Sequence, residues 1–149
     1  MKTLSFAAAA LFAAAAWGQG LDTIHLSMDH ATIGVADLQK EGDWYHRALG
    51  LEFAPIHHAE KFDVQTMTAP GVRIDLLHES GSTRPTALMG FDKQGWLHVA
   101  LGTTDADALY RHLADMGTDV AATRDKKTGK IVFLSVHDPE GNNLEVMQK

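Results

Sequence analysis

The chain has 149 residues, 45% of them hydrophobic and 21% charged, with 13 Lys and Arg against 19 Asp and Glu and a formal net charge of −6. That length predicts one domain with a core of its own, and the acidic balance argues against nucleic acid or an anionic membrane surface as a partner. There is no Cys, so neither a disulfide framework nor a lipid anchor through Cys is available.

The first 18 residues read as a signal peptide. Lys2 is a short basic start, and Leu4 to Trp17 is an Ala-rich apolar run, too short to span a bilayer comfortably. Ala16-Trp17-Gly18 suits cleavage before Gln19, with cleavage after Ala16 as the alternative. The expectation is an exported protein, periplasmic or secreted, with no membrane attachment once the leader is removed. Met28 to Val35 alternates as a strand does. Asp37 can N-cap a helix to about Leu49, with Leu38, Tyr45 and Leu49 on one face and Trp44 and Ala48 packing beside them. Gly50 ends that helix. Strands follow at Leu51 to Ile56, Phe62 to Thr68 and Val72 to His78, with Pro70-Gly71 turning between the last two.

Residues 79–94 contain Gly81, Pro85 and Gly90 and read as a connector between a first unit, about 28–78, and a second, about 95–149. Trp96 to Gly102 is a strand. Thr104 with Asp107 resembles a capping box for a helix buried through Leu109, Leu113 and Met116 and ended by Gly117. Three strands close the chain: Thr118 to Thr123, Ile131 to His137 and Asn143 to Met147, with turns at Asp125 to Gly129 and Asp138 to Asn142. Both halves therefore read β-α-β-β-β, an α+β fold. A four-stranded sheet of this kind cannot close on itself. Two side by side can form a curved eight-stranded cup with both helices outside, within one chain or between swapped chains of a homodimer.

The pattern His-x-x-(Ile/Leu)-Gly-x-x-Asp occurs twice, from His30 to Asp37 and from His98 to Asp105. Each copy is followed by a carboxylate inside an apolar strand, Asp75 in RIDLL and Glu145 in NLEVM. Two imidazoles and two carboxylates are a ligand set for a divalent metal, and the donor types suit Zn, Ni, Fe, Mn or Co equally. Alternation puts His30, Thr32 and Gly34 on one strand face and His98, Ala100 and Gly102 on the matching one. Pseudo-twofold pairing would let His30, Asp75, His98 and Glu145 converge, with small neighbours leaving room for a substrate. A lone strand His is ordinarily a hydrogen-bonded core residue; its repetition with an acid is what favours a site. Asp75 is one methylene shorter than Glu, which leaves three roles open to it: a direct ligand, a ligand through water, or a partner of Arg73. His46, His57, His58 and His112 read as exposed, and His78 and His137 as strand-end residues. There is no Ser or Cys nucleophile motif and no Gly-rich phosphate loop.

Three stretches carry a resemblance: DHATIGVADLQKEGDWYHRALGLEF, GWLHVALGTTDADALYRHLADMG and HDPEGNNLEVMQ. They resemble the vicinal oxygen chelate superfamily, which includes glyoxalases, bleomycin resistance proteins and extradiol dioxygenases. The resemblance implies the cup-shaped glyoxalase/bleomycin resistance/dioxygenase fold. The glyoxalase pattern places metal ligands at His30, Asp75, His98 and Glu145, with Glu145 as the catalytic base moving a proton between neighbouring carbons. The dioxygenase pattern uses only His30, His98 and Glu145, around Fe(II). Bleomycin-resistance-type members use the same cup to sequester a drug without metal. The implied function is a metal-dependent lyase or isomerase acting on a small substrate with vicinal oxygens. The alternatives are a small ring-cleaving dioxygenase and a drug- or metabolite-binding protein.

Overall fold

The computed structural model describes residues 27–83 and 97–149. The leader and most of the connector lie outside these residues. Eleven elements are described: β1 (Ala31–Gly34), α1 (Leu38–Leu49), β2 (Glu52–Phe53), β3 (His57–His58), β4 (Phe62–Ala69), β5 (Val72–Glu79), β6 (Val99–Thr103), α2 (Ala106–Asp115), β7 (Asp119–Arg124), β8 (Ile131–His137) and β9 (Asn143–Gln148). No described helix is long and apolar enough to cross a membrane.

The α+β expectation holds. The first sheet runs β1-β5-β4-β2, with β3 also on β4, and the second runs β6-β9-β8-β7. In each, the first strand lies parallel to the last and the rest are antiparallel. The two are separate sheets: among the described residues no ladder joins β1 to β6. One core cluster spans both halves, with Tyr45, Met67, Ile74 and Leu76 from the first and Leu113, Leu134, Val136 and Leu144 from the second.

Several boundaries differ from the sequence reading, each for a local reason. β1 begins at Ala31 because its ladder with β5 starts at Ala31 opposite Ile74; Met28 to His30 pair with nothing and are exposed. Of the expected strand over Leu51 to Ile56 only β2 forms, and a second short strand, β3, follows it at His57–His58. Three residues, 54–56, face two on β4, a bulge centred on Pro55, which has no N–H to donate. The α2 cap is Asp105 rather than Thr104: its carboxylate accepts from the Ala108 N–H at 2.8 Å, just as Asp37 accepts from Lys40 at 3.0 Å in α1. The last position of the repeated motif is thus the helix cap in both halves. On α1 the buried face is Glu41, Gly42, Trp44, Tyr45 and Ala48, while Leu38 and Leu49 are only partly covered. A Cβ at Gly42 would stand 2.7 Å from the Phe53 ring, so the glycine lets β2 lie against the helix.

α1 is the clasp between the halves. The Glu140 carboxylate, on the turn after β8, accepts from the backbone N–H groups of Ala36 (2.9 Å) and Asp37 (3.0 Å). The Tyr45 hydroxyl donates to Asp138 (3.2 Å), Trp44 Nε1 to Thr118 (3.4 Å), and His112 Nε2 lies 2.8 Å from the Arg47 carbonyl. Hydrogen bonds to a charged acceptor are worth roughly 1.5–3 kcal/mol. Glu140→Ala should therefore lower the unfolding free energy by about that amount, read from the urea midpoint at unchanged slope.

Candidate functional site

Strand register repeats the sequence motif in three dimensions. Thr32, two residues after His30, pairs with Asp75; Ala100, two residues after His98, pairs with Glu145. Each acid therefore comes beside its own imidazole. His30 Nε2 lies 3.7 Å from Asp75 Oδ2, and His98 Nε2 lies 3.2 Å from Glu145 Oε2. The sheet backs put Ile74 and Leu76, and Leu144 and Val146, into the core, which turns both acids to the opposite faces.

The four residues form two pairs. Among the described residues, no three His, Asp or Glu side chains are gathered closely enough to hold a metal ion. The imidazoles nevertheless share a space. A cavity of about 570 Å³ is lined by His30 and His98, by the apolar Met28, Ile33, Leu97 and Val99, and by Asn142 and Asn143. The asparagines, Asn142 at the end of the predicted turn and Asn143 at the start of β9, are functional candidates the sequence reading did not name. Their signal was position: they lead directly into Glu145.

The two acids are not equivalent. Asp75 is 7% exposed and its oxygens are already used. Oδ1 accepts from the Thr66 hydroxyl (2.6 Å) and Arg73 Nε (3.2 Å), and Oδ2 from Arg73 Nη2 (3.0 Å). Burial works against its charge, but the hydrogen bonds from Thr66 and Arg73 and the charges of Arg73 and His30 outweigh it and hold the carboxyl below the ordinary range. Arg73 also lies 3.6 Å from Asp29, whose carboxylate stands 2.5 Å from His30 Nδ1. The position matching Arg73 in the second half, two residues before the acid, is Asn143. Glu145 has no such cation partner among the described residues. His46, His57, His58 and His112 are exposed as expected. His78, 3.0 Å from the Val35 carbonyl, and His137, facing Asp119, are part-buried at strand ends and outside the cavity lining.

Donor chemistry suits a divalent metal on one side of the site. Two ligands each about 2.1 Å from one ion stand roughly 3.0–3.4 Å apart, the spacing of His98 and Glu145. The His30–Asp75 pair is wider, and its acid is committed to Arg73. His98 and Glu145 thus stand at the spacing of two adjacent ligands, while among the described residues no third donor is gathered with either pair.

A family model described as Glyoxalase/Bleomycin resistance protein/Dioxygenase superfamily matches residues 27–146. No curated protein matches the sequence. Among solved structures, the chain is similar to a glyoxylase/bleomycin resistance protein/dioxygenase domain from Frankia sp. EAN1pec, with 20% identity, TM-score 0.69, and 84% of this chain and 98% of that one covered. It is similar to the trypanothione-dependent glyoxalase I of Leishmania major, with 19% identity, TM-score 0.66 and coverage of 83% and 87%. It is also similar to TnmS3, an antibiotic binding protein from Streptomyces sp. CB03234, with 21% identity, TM-score 0.59 and coverage of 83% and 98%. At these identities the likeness is one of fold.

Proposed function

The chain belongs to the glyoxalase/bleomycin resistance protein/dioxygenase superfamily, and we propose that it is an exported, metal-dependent enzyme of the glyoxalase type. The reaction class is lyase or isomerase, on a small substrate with adjacent oxygens. One observation carries this reading: His30 and His98 line a single cavity, and Glu145 stands beside His98 at the spacing of adjacent ligands.

His30, His98 and Glu145 would hold the metal, and Asp75 would not. When bound, a divalent ion supplies Lewis acidity that stabilises negative charge developing on two neighbouring oxygens. The chain's own residues do the rest. Met28, Ile33, Leu97 and Val99 give the cavity apolar walls that take the carbon body of a substrate and displace water. Asn142 and Asn143 supply amide groups to orient its oxygens. Glu145, which has no Arg partner among the described residues, is the carboxylate that would take and return a proton between neighbouring carbons. Export rests on the leader of residues 1–18 and makes a substrate outside the cytoplasm the natural one.

Commitment of Asp75 to Arg73 favours a second reading, a small ring-cleaving dioxygenase, because two His and one carboxylate are the donor set of non-haem Fe(II) oxygenases. One preparation tests these readings. Protein from an exporting host should have the mass of a chain starting near Gln19 and contain about one divalent metal. α-Oxygenated carbonyl compounds should then be turned over without oxygen uptake. Oxygen consumption with a catechol would favour the dioxygenase. A protein that takes up no metal at micromolar concentration, yet binds apolar drugs, would instead be a binding protein.

A further inference from the structure

Glu41 is fully buried in α1, and among the described residues neither carboxyl oxygen has a hydrogen-bond partner. The groups around it are satisfied. Asp138, 4% exposed, accepts at Oδ1 from the backbone N–H groups of Glu140 (3.1 Å) and Asn142 (2.7 Å). At Oδ2 it accepts from the Tyr45 hydroxyl (3.2 Å) and Asn142 Nδ2 (2.7 Å). Four donors occupy the lone pairs of one carboxylate, and they come from both sides of the clasp. Glu140 is in turn taken up by the N–H groups ahead of α1. The β4 and β5 strands beneath the helix contribute the apolar Met67, Ile74 and Leu76 to the shared core. The ionisable groups bearing on Glu41 are thus Asp138 and Glu140 from the turn and Lys40 and Tyr45 from its own helix.

A buried carboxylate with no partner and two negative neighbours is costly, while a neutral carboxyl in the same place is far less so. Burial first, then the charges of Asp138 and Glu140, push the Glu41 carboxyl up from 4.5 to about 8, with Lys40 pulling weakly the other way. The same surroundings push the Tyr45 hydroxyl upward, so it remains a donor to Asp138.

We propose that Glu41 is a proton-operated latch between α1 and the 138–142 turn. Neutral, it lets the helix close on Asp138. Ionised, it sets a second negative charge against Asp138 and loosens the turn. The consequence reaches the cavity, because Asp138 holds Asn142 by both its backbone and its side-chain amide, and Asn142 lines the cavity beside His30 and His98. This inference does not depend on metal binding or on the reaction proposed above.

The sign follows from linkage. The folded state keeps a proton that the unfolded chain releases near 4.5. The contribution is therefore full below that pH, declines as pH rises, and is gone above about 8. The test is thermal unfolding of the purified chain from pH 5 to 9, as parent and as Glu41→Gln, which keeps the shape but cannot ionise. The two should unfold within a few degrees of each other at pH 5, and the variant should unfold roughly 10 °C above the parent at pH 9. Parallel curves would overturn the proposal. Should the variant fail to fold, amide exchange in the parent decides. Protection of residues 140–142, corrected for intrinsic rates, should drop about tenfold between pH 6 and 9 relative to the 125–129 turn. Unchanged relative protection would also overturn it.

Discussion

His98→Ala should lower divalent-metal occupancy of the purified protein by about tenfold or more, and His112→Ala should leave it unchanged. Loss of outer groups that merely orient a ligand costs 10–100-fold in affinity, and loss of a ligand should cost no less. His98 opens onto the cavity and stands 3.2 Å from Glu145. His112 lies on the exposed side of α2, with Nε2 2.8 Å from the Arg47 carbonyl. It matches His98 in donor chemistry but not in place, so the pair separates a built site from adventitious imidazole binding. Elemental analysis after equilibration in a metal buffer is the measurement, and equal retention in both variants would refute the site.

Much of the fold was legible because it is written twice. The repeated motif predicts two like units, and the register delivers them, with Thr32 opposite Asp75 and Ala100 opposite Glu145. The same repeat could have placed the second helix cap. Asp105 occupies the position of Asp37, yet the nearby Thr104 and Asp107 drew attention to a capping box that does not form. Glu41 was missed because an acid between Lys40 and Asp43 looks like part of a solvated face. The signal was its position four residues before Tyr45, on the buried stripe. The early end of the 51–56 strand was readable in Pro55. That the four predicted ligands stand as two pairs was not, because strand alternation fixes each side chain's face but says nothing of how two separate sheets approach.

Arg73 is the residue on which the nature of the site turns. With three donors, Asp75→Ala should leave metal affinity within about threefold of the parent, since its oxygens serve Arg73 and Thr66. Arg73→Met should do the opposite of a typical site lesion. It removes two of the three hydrogen bonds holding Asp75, along with the positive charge that keeps its carboxyl low. Burial then works on that carboxyl with only Thr66 and His30 opposing it. A metal ion is the compensating charge still available, so affinity should rise by roughly tenfold, about the effect of an added ligand-orienting group. The gain should vanish in the Arg73→Met, Asp75→Ala double variant, because no freed carboxylate remains. Titrating metal into the parent, the two single variants and the double variant completes the cycle. If Asp75→Ala alone loses metal as His98→Ala does, the three-donor set is wrong and Asp75 is a ligand. In that event the Arg73 pairing is one that metal binding displaces, and the glyoxalase pattern stands with all four residues.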